Sequence, residues 1–288
     1  MIPEWARDRL RCPLCKGELE SPEGDINCLN CDYSAAGVSD FRPRAEGVKT
    51  ISLETKFNSD PETEISGIEL TPPEAVNGGP VPRRDSSELL GEMRNRLGKD
   101  ATVLDLGCGP KDQKAPVEYL GFRYVGGDYC HPESDLLLDA QALPFADGSF
   151  DCVLSYAVLE HVPNPFLALD EVSRVLKPGG LFVGTVSQGE PFHSSYFHHT
   201  PWGLLSLVSS QVTLETVRIW KGQGTLPALS RMGRYPGPVR QLLALAEKLK
   251  DVSCGLSSRR KAMTPRERQL DGLYEAGSLG FSIVKSRY

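Results

Sequence analysis

The sequence has no run of about 18 or more apolar residues, the length that a transmembrane helix needs. Its first residues, MIPEWARD, lack the basic and then apolar order of a secretory signal peptide. Internal repeats and low-complexity tracts are absent as well. With 40% hydrophobic and 24% charged residues, the composition excludes disorder along the whole chain and a collagen-like or coiled-coil rod. We therefore expect a globular, cytoplasmic protein with no stable membrane association.

Positive charge is scarce in the first three quarters of the chain and concentrated at its end. Residues 1–217 contain 18 Lys and Arg against 33 Asp and Glu, whereas residues 218–288 contain 14 against 5. The net charge of −6 hides this asymmetry. The basic end is either a solvated face or a site for an anionic partner, such as a phosphorylated or carboxylated acceptor, or RNA.

The sequence patterns divide the chain into three zones. Residues 1–45 hold paired cysteines and predict a zinc ribbon, and residues 46–85 are polar and rich in Pro, Gly and Glu, which predicts a linker or an ordered wrap. Residues 86–288 alternate helix and strand patterns, which predicts βαβ units and a doubly wound, mostly parallel α/β sheet. A basic helical insertion is expected at about 221–278, where PVRQLLALAEKLK predicts an amphipathic helix that packs on the core or covers the acceptor.

A glycine turn follows the first buried strand of this last zone. Gly107 and Gly109 let a ligand approach the backbone, because a side chain at either position would collide with it. Asp105 would repel a dinucleotide pyrophosphate at this turn but would attract a cationic ammonium group. Asp128 ends the second strand and can accept both hydroxyls of a ribose, and Asp139 can lie beside an adenine edge. These features together favour S-adenosylmethionine as the ligand.

Four motifs in this zone resemble those of a known enzyme family in order and spacing. VLDLGCG, GGDY, DAQALPFADGSFDCVLSYAVLEHV and EVSRVLKPGGLFVGTV are similar to the class I S-adenosylmethionine-dependent methyltransferases of the type 11 group. The resemblance implies a Rossmann-like, seven-stranded sheet, here preceded by a small zinc ribbon. It also implies cofactor contacts from Asp105, Gly107 and Gly109 at the methionine end, Asp128 and Tyr129 at the ribose, Asp139 and Ala140 at the adenine, and Ser155 and Tyr156 near the sulfonium.

Four of the eight cysteines form two pairs, Cys12-x-x-Cys15 and Cys28-x-x-Cys31, with the spacing of a zinc ribbon. Four thiolates leave the ion no open position, so we expect structural Zn²⁺, which would supply folding energy to a module too small for its own core. The other cysteines are scattered, which argues for a reducing compartment rather than a disulfide framework. Similar ribbons precede some methyltransferase domains, including ribosomal-RNA guanine methyltransferases, but residues 1–45 carry six basic against eight acidic residues, which does not favour phosphate contact.

Histidines near the carboxyl edge of the sheet are candidates for the acceptor side. His193, His198 and His199 crowd into one segment after the fifth strand, and His161 follows Glu160 in a position typical of the family. Any of them is a candidate general base or pocket residue, although the segment can also serve as a packing loop. We expect a methyltransferase acting on a small-molecule or glycan-type acceptor. The alternatives are an rRNA or tRNA base methyltransferase and a non-catalytic cofactor-binding scaffold that docks a protein partner through the ribbon.

Overall fold

The computed structural model describes residues 2–20, 25–35, 37, 39–43, 65–80, 86–191, 194–232, 235–256 and 262–287. Strands in these ranges form two sheets. The smaller sheet is antiparallel and contains β1 (Leu19–Glu20), β2 (Ile26–Cys28) and β3 (Ser34–Ala35). The larger sheet contains β4 (Thr102–Leu106), β5 (Arg123–Asp128), β6 (Leu136–Leu137), β7 (Phe150–Tyr156), β8 (Leu176–Ser187), β9 (Leu214–Lys221) and β10 (Ser278–Lys285).

The larger sheet has seven strands in the order β6-β5-β4-β7-β8-β10-β9. The pairs from β6 to β8 are parallel, and β10 is antiparallel to both of its neighbours. The predicted mostly parallel, seven-stranded, Rossmann-like sheet is therefore confirmed. The order of strands reverses at β4, so that the carboxyl ends of β4, β5 and β7 border a crevice of the kind in which such sheets bind ligands.

The helices lie between the strands and before the sheet. They are α1 (Glu4–Arg7), α2 (Ser87–Arg96), α3 (Lys114–Tyr119), α4 (Pro165–Val175), α5 (Pro201–Ser209), α6 (Thr225–Met232), α7 (Gly237–Leu256) and α8 (Pro265–Tyr274), with a 3-10 turn at Leu159–His161. No helix in the described part of the chain combines the length and apolarity needed to cross a bilayer.

Local sequence explains where several elements begin. All five residues of β4 are buried, because the parallel sheet is covered on both faces and the strand therefore shows no alternation. The Asn164 side chain accepts a hydrogen bond from the N–H of Leu167 at 3.3 Å and caps α4, whose first position is Pro165. Thr264 and Glu267 form a reciprocal capping box at the start of α8.

The cysteine-rich segment packs directly on the large sheet. Ile2 and Phe41 belong to the same buried cluster as Leu136 and Phe145. Two backbone hydrogen bonds join the parts, from Arg11 N–H to the carbonyl of Pro144 at 3.0 Å and from Ala146 N–H to the carbonyl of Arg9 at 2.7 Å. The segment thus contributes to one continuous core, while the domain boundaries expected at 45 and 85 stay predictions.

The expected helices between the last two strands are present as α6, α7 and α8. The predicted amphipathic helix corresponds to α7, but core packing is the wrong interpretation of its apolar face. Four of its described apolar side chains are exposed, at 36% for Val239, 64% for Leu242, 51% for Leu245 and 60% for Leu249, and Leu243 is half-buried. Within the described residues, α7 packs on α6. The alternative, that the helix covers the acceptor, stays a prediction.

Candidate cofactor and acceptor site

A cleft of about 530 Å³ opens at the carboxyl ends of β4, β5 and β7. Its lining combines two carboxylates with apolar side chains and three aromatic or imidazole rings. The lining residues are Leu106, Gly107, Asp128, Tyr129, Cys130, Leu138, Asp139, Ala140, Gln141, Ala157, Val158, His161, Val162, Pro163 and Tyr196. The cleft therefore contains five of the nine residues expected to contact a cofactor.

The glycine turn forms the floor of this cleft. Gly107 has φ of +71°, and a Cβ built there would lie 2.4 Å from Cγ2 of Val158. The backbone N–H groups of Gly107 and Cys108 both donate to the carbonyl of Gly127, at 2.8 and 3.1 Å. Gly109 has φ of +51° but faces open space. The left-handed backbone conformation explains why glycine occupies both positions. At Gly107 the close approach of Val158 is a second reason, because it leaves no room for a Cβ.

Asp128 ties the glycine turn to the end of β5. One carboxylate oxygen accepts from the N–H of Gly109 at 3.0 Å, and the other accepts from those of Cys130 and His131 at 3.0 and 2.9 Å. A carboxylate offers about four acceptor positions, so three of them are occupied by backbone donors. Among the described residues, the oxygen that faces Gly109 has one hydrogen-bond donor and the other oxygen has two. The expectation that Asp128 accepts both ribose hydroxyls stays a prediction.

The two residues expected to contact the adenine, Asp139 and Ala140, also line the cleft. Asp139 Oδ1 accepts from the backbone N–H and the side-chain amide of Gln141, at 2.8 and 3.1 Å. These contacts fix the carboxylate, and Ala140 beside it is 9% exposed and adds an apolar surface. A half-buried carboxylate next to apolar side chains suits an amino-substituted aromatic ring, because the carboxylate can accept from the amino group.

Asp105 lies beneath the turn rather than in the cleft lining. It is 1% exposed, and its Oδ2 accepts a hydrogen bond from the Tyr124 hydroxyl at 2.7 Å. Burial raises the pKa of Asp105 to about 7. The structure thus does not bring this carboxylate to the cleft surface, and its expected contact with the methionine end stays a prediction.

The residues expected near the sulfonium separate at the end of β7. Ser155 is fully buried, and its hydroxyl has no hydrogen-bond partner among the described residues. Tyr156 lines a second cavity of about 140 Å³, and the next residue, Ala157, lines both this cavity and the cleft. Ala157 has φ of +55°, and its N–H donates to the carbonyl and the hydroxyl of Thr185, both at 3.1 Å. A non-glycine residue in this conformation is a strained backbone position of the kind that concentrates at functional sites.

The second cavity is polar, and two carboxylates are the charged groups of its lining. Glu88 comes from α2 and accepts a hydrogen bond from the indole N–H of Trp220 at 2.6 Å. Glu190 comes from the segment after β8 and accepts from the Ser187 hydroxyl. The remaining lining residues are Ser86, Leu89, Tyr156, Ala157, Thr185, Val186, Ser187, Trp220, Gly222, Gln223 and Ser278.

Glu88, Glu190 and Ala157 were not identified from the sequence. Glu88 lies in the first turn of α2, where an acidic residue is common at a helix start and gives no indication that its side chain also lines a cavity. Glu190 follows a strand of the sheet directly, and this position at the carboxyl edge is the signal that could have identified it. Nothing in the sequence marks Ala157, because alanine rarely adopts a left-handed φ and its presence therefore does not predict one.

A third carboxyl group lies behind this cavity. Glu160 is fully buried, and burial raises its pKa. The Ser187 hydroxyl lies 2.9 Å from Glu160 Oε1 and also contacts Glu190. Because one hydroxyl donates one hydrogen bond, a protonated Glu160 that donates to Ser187 leaves that hydroxyl able to donate to Glu190. The other carboxyl oxygen of Glu160, Oε2, is buried without a hydrogen-bond partner among the described residues.

The four candidate histidines have different surroundings. His161 lines the cleft, with Nδ1 3.3 Å from the carbonyl of Ser194. His198 is exposed and lies outside the cleft and cavity linings, with its ring nitrogens near the carbonyl of Gln188 and the hydroxyl of Ser195, at 3.2 and 3.0 Å.

His199 is 7% exposed, and burial lowers its pKa, which favours a neutral ring that packs rather than one that exchanges protons. His193 lies outside the described residues.

The four paired cysteines meet at one point. The sulfur atoms of Cys12, Cys15, Cys28 and Cys31 lie within 4.8 Å of one another. Two of the separations are 3.7 Å, between Cys12 and Cys31, and 3.4 Å, between Cys15 and Cys28. Tetrahedral zinc with Zn–S bonds of about 2.3 Å places its sulfur ligands roughly 3.8 Å apart. The cluster is thus compatible with a structural zinc ion, as the spacing predicts.

Comparison with known proteins agrees with this geometry. Residues 104–184 match the family model of a methyltransferase domain, Methyltransf_11. The chain is 43% identical over 93 residues to an uncharacterized methyltransferase of Mycobacterium sp. (strain JLS), and 39% identical over 95 residues to one of Mycobacterium tuberculosis (strain H37Ra). Each of these alignments covers 28% of this chain and 37% of the relative, so the chain spans just over a third of the relatives' length.

Among solved structures, the chain resembles the 1,6-didemethyltoxoflavin-N1-methyltransferase of Burkholderia thailandensis. The identity is 16%, the TM-score is 0.43, and the alignment covers 69% of this chain and 76% of that chain. This likeness is too low to carry a conclusion about function. The family match and the observed sheet are the informative findings: residues 104–184 match the model of a methyltransferase domain, and they lie in a seven-stranded, Rossmann-like sheet.

Proposed function

We propose that the protein transfers a methyl group from S-adenosylmethionine to a small-molecule acceptor bound in the cavity beside the cleft. The observation that carries this proposal is that cleft and cavity share Ala157 in their linings, at the carboxyl ends of β7 and β8. A cofactor in the cleft and an acceptor in the cavity would meet at this residue. Enzymes gain much of the rate of such a displacement by holding the two reactants in line.

The cleft fits the cofactor in size and in chemistry. Its volume of about 530 Å³ lies within the range of roughly 300–1,000 Å³ found for small-molecule sites. Asp128 and Asp139 supply acceptors for a ribose hydroxyl and an adenine amino group, and Leu106, Leu138 and Val158 supply apolar surface. The bound cofactor would supply an electrophilic methyl group on a sulfonium.

The lining of the cavity favours an acceptor that is cationic or rich in hydrogen-bond donors. Among the described residues, Glu88 and Glu190 are the charged groups of the cavity lining, and neither lysine nor arginine lines the cavity or the cleft. A carboxylate can bind an amine or a hydroxyl group by accepting a hydrogen bond from its N–H or O–H. An anionic methyl acceptor would be repelled by the two carboxylates. The basic residues near the end of the chain therefore give no support here to the anionic acceptor considered from the sequence.

The cofactor part of the proposal is tested by calorimetric titration of the protein with S-adenosylmethionine. Replacing Asp128 or Asp139 by Ala should weaken binding by about tenfold or more, because each loses a hydrogen bond to a charged acceptor. Glu118→Ala removes an exposed carboxylate that lies outside the cleft lining and should bind like the wild type. Unchanged affinity in both aspartate variants would overturn the assignment of the cleft.

The acceptor part is tested with labelled cofactor and a cell extract that has been separated into small-molecule, RNA and protein fractions. We expect label to enter a product that cation exchange retains or that carries several hydroxyl groups. Glu190→Gln should lower transfer to that product while leaving the affinity for S-adenosylmethionine unchanged. Glu215→Gln, which lies outside both linings, should change neither the transfer nor the affinity. Label found only in RNA, with binding that weakens steeply as salt rises, would favour the nucleic-acid alternative instead.

A further inference from the structure

The chain directly after the small antiparallel sheet adds to the edge of the large sheet. Asp40 forms a parallel bridge with Leu137 of the edge strand β6. The N–H of Leu137 donates to the carbonyl of Ser39 at 2.6 Å, and the N–H of Phe41 donates to the carbonyl of Leu137 at 2.8 Å. Phe41 is 1% exposed within the core. Residues 39–41 thus occupy an edge that would otherwise present unpaired backbone groups.

Arg42 extends from this added edge to the rim of the cleft. Its Nε and Nη2 donate to both oxygens of the Asp40 carboxylate, at 2.9 and 2.6 Å. Its Nη1 donates to the carbonyl of Tyr129 at 3.1 Å, and the guanidinium carbon lies 5.6 Å from the centroid of the Tyr129 ring. Asp40 therefore fixes the orientation of the guanidinium group, and Arg42 contacts both the backbone and the ring of Tyr129.

The contact with Arg42 matters for the cleft because Tyr129 is an exposed residue at its rim. The side chain is 61% exposed, and the residue lines the cleft next to Asp128. A tyrosine ring at this position can cover a bound nucleoside only if its backbone and ring are kept at the rim. An arginine above the ring contributes a cation–π interaction as well as the hydrogen bond.

The same segment is also linked to the cysteine cluster. The Tyr33 carbonyl accepts a hydrogen bond from the N–H of Cys28 at 2.9 Å, and the Tyr33 hydroxyl lies 3.5 Å from the carbonyl of Asp40. Tyr33 is 7% exposed and belongs to the shared core. The cysteine-rich segment thus supports Asp40, which in turn orients Arg42.

We propose that Arg42 is a positioning residue for the cofactor site, and that the N-terminal segment contributes to cofactor affinity through it. The inference rests on the proposed function, because it takes the cleft to be the site of S-adenosylmethionine. Arg42 itself does not line the cleft, and it acts by holding Tyr129. In this proposal the N-terminal segment helps to bind a small molecule, the cofactor, and is not an RNA-recognition module.

The test is calorimetric titration of the full-length protein with S-adenosylhomocysteine. Arg42→Ala should weaken binding by roughly three- to tenfold, the effect of losing a cation–π contact and an exposed charged hydrogen bond. Arg42→Lys keeps the charge but not the planar fork, so its affinity should lie between those of Arg42→Ala and the wild type. Arg7→Ala is the matched control, since Arg7 donates to the carbonyl of Ile2 in the same segment and lies outside the cleft lining.

Melting temperatures separate positioning from a general loss of structure. We expect Arg42→Ala and Arg7→Ala to melt at similar temperatures, while Arg42→Ala alone binds more weakly. In a Tyr129→Ala background, Arg42→Ala should cost less affinity than in the wild type. Equal affinities of wild type and Arg42→Ala would overturn the inference and leave the proposed function standing. A wild-type protein that does not bind S-adenosylhomocysteine would overturn both.

Discussion

Lys16, next to the second zinc-type cysteine, and Glu171 of α4 form an ion pair with 2.7 Å between Nζ and Oε2. The Glu171 side chain is 1% exposed and is also held by Arg174 at 2.9 Å. Lys16 Nζ lies within hydrogen-bond distance of the carbonyls of Pro13 and Leu143 as well. The loop that carries Cys12 and Cys15 is thus anchored to a helix more than a hundred residues away in the sequence.

Replacing Glu171 by Ala should destabilise the protein by about 3–5 kcal/mol, because two cations lose their buried partner. Lys16→Met should cost less, about 1.5–3 kcal/mol, since Glu171 keeps Arg174. Lys114→Met removes an exposed lysine 4.0 Å from Glu118 and should change stability by about 0.5 kcal/mol or less. Urea denaturation measures all three variants. A Glu171→Ala variant as stable as Lys114→Met would show that the pair is not needed.

Purified protein should contain one zinc ion per chain, held by the four clustered cysteines. Cys28→Ser should lose most of the metal, because it removes one of four ligands, whereas Cys130→Ser, at an exposed thiol outside the cluster, should retain it. Elemental analysis gives the metal content. Because the cysteine-rich segment shares the core of the sheet, removing zinc should also lower the melting temperature of the whole chain. Full metal content in Cys28→Ser would contradict this site.

Asp105 should make stability depend on pH. Burial raises its pKa to about 7 in the folded chain, so its neutral form is favoured by folding. That contribution is fully present below the ordinary aspartate pKa of about 3.9 and is lost as the pH rises through about 7. Asp105→Asn stays neutral and can still accept from Tyr124, so its melting temperature should exceed that of the wild type increasingly between these pH values. A difference in melting temperature between Asp105→Asn and the wild type that stays flat across this range would argue against the raised pKa.

The two glycines of the turn should respond differently to Ala. Both variants adopt a left-handed backbone that costs a residue with a Cβ roughly 1–2 kcal/mol. Gly107→Ala should lose more, because its Cβ also collides with Val158, whereas Gly109→Ala faces open space. Adding Val158→Ala should recover part of the melting temperature of Gly107→Ala and none of that of Gly109→Ala. Equal losses in the two single variants, without recovery, would disprove the steric explanation.

The histidines should separate by role when each is replaced by Ala. His161 lines the cleft, so its replacement should lower turnover, by about a hundredfold if it exchanges protons with the acceptor. His199 is buried, so its replacement should lower the melting temperature. His198 should change neither measurement. If turnover were normal in His161→Ala, the search for a base would move to Glu190, the cavity carboxylate that contacts Ser187.

The elements that could be predicted from the sequence are those with strong local patterns. The apolar run before Gly107 predicts β4, because burial of a parallel strand leaves a pattern. Phe166, Leu169, Val172 and Leu176 recur at helical spacing and predict a helix over 166–176, close to the observed α4. The second cavity could not be predicted, since Glu88 and Glu190 are about a hundred residues apart and meet only through the sheet order. The link from Arg42 to Tyr129 is equally non-local and has no period or motif.

Asp105 shows that a sequence motif does not determine the direction of each of its side chains. The sequence shows an acidic residue two positions before the glycine turn, but not whether its side chain faces the ligand or the interior. In the structure the carboxyl contacts Tyr124 from the neighbouring strand, and this depends on the pairing of β4 with β5. A motif can therefore locate a turn correctly while leaving open the direction in which one of its side chains points.

The shared core of the N-terminal segment and the large sheet has a practical consequence for truncation. Trp5 packs edge-on against Phe150 at 6.3 Å between ring centroids, and Phe41 and Ile26 are buried in the same cluster. A fragment cut before Ser86, at the boundary that sequence patterns suggest, would expose this apolar surface to solvent. We expect such a fragment to aggregate on expression, so that the N-terminal segment and the large sheet have to be produced as one unit.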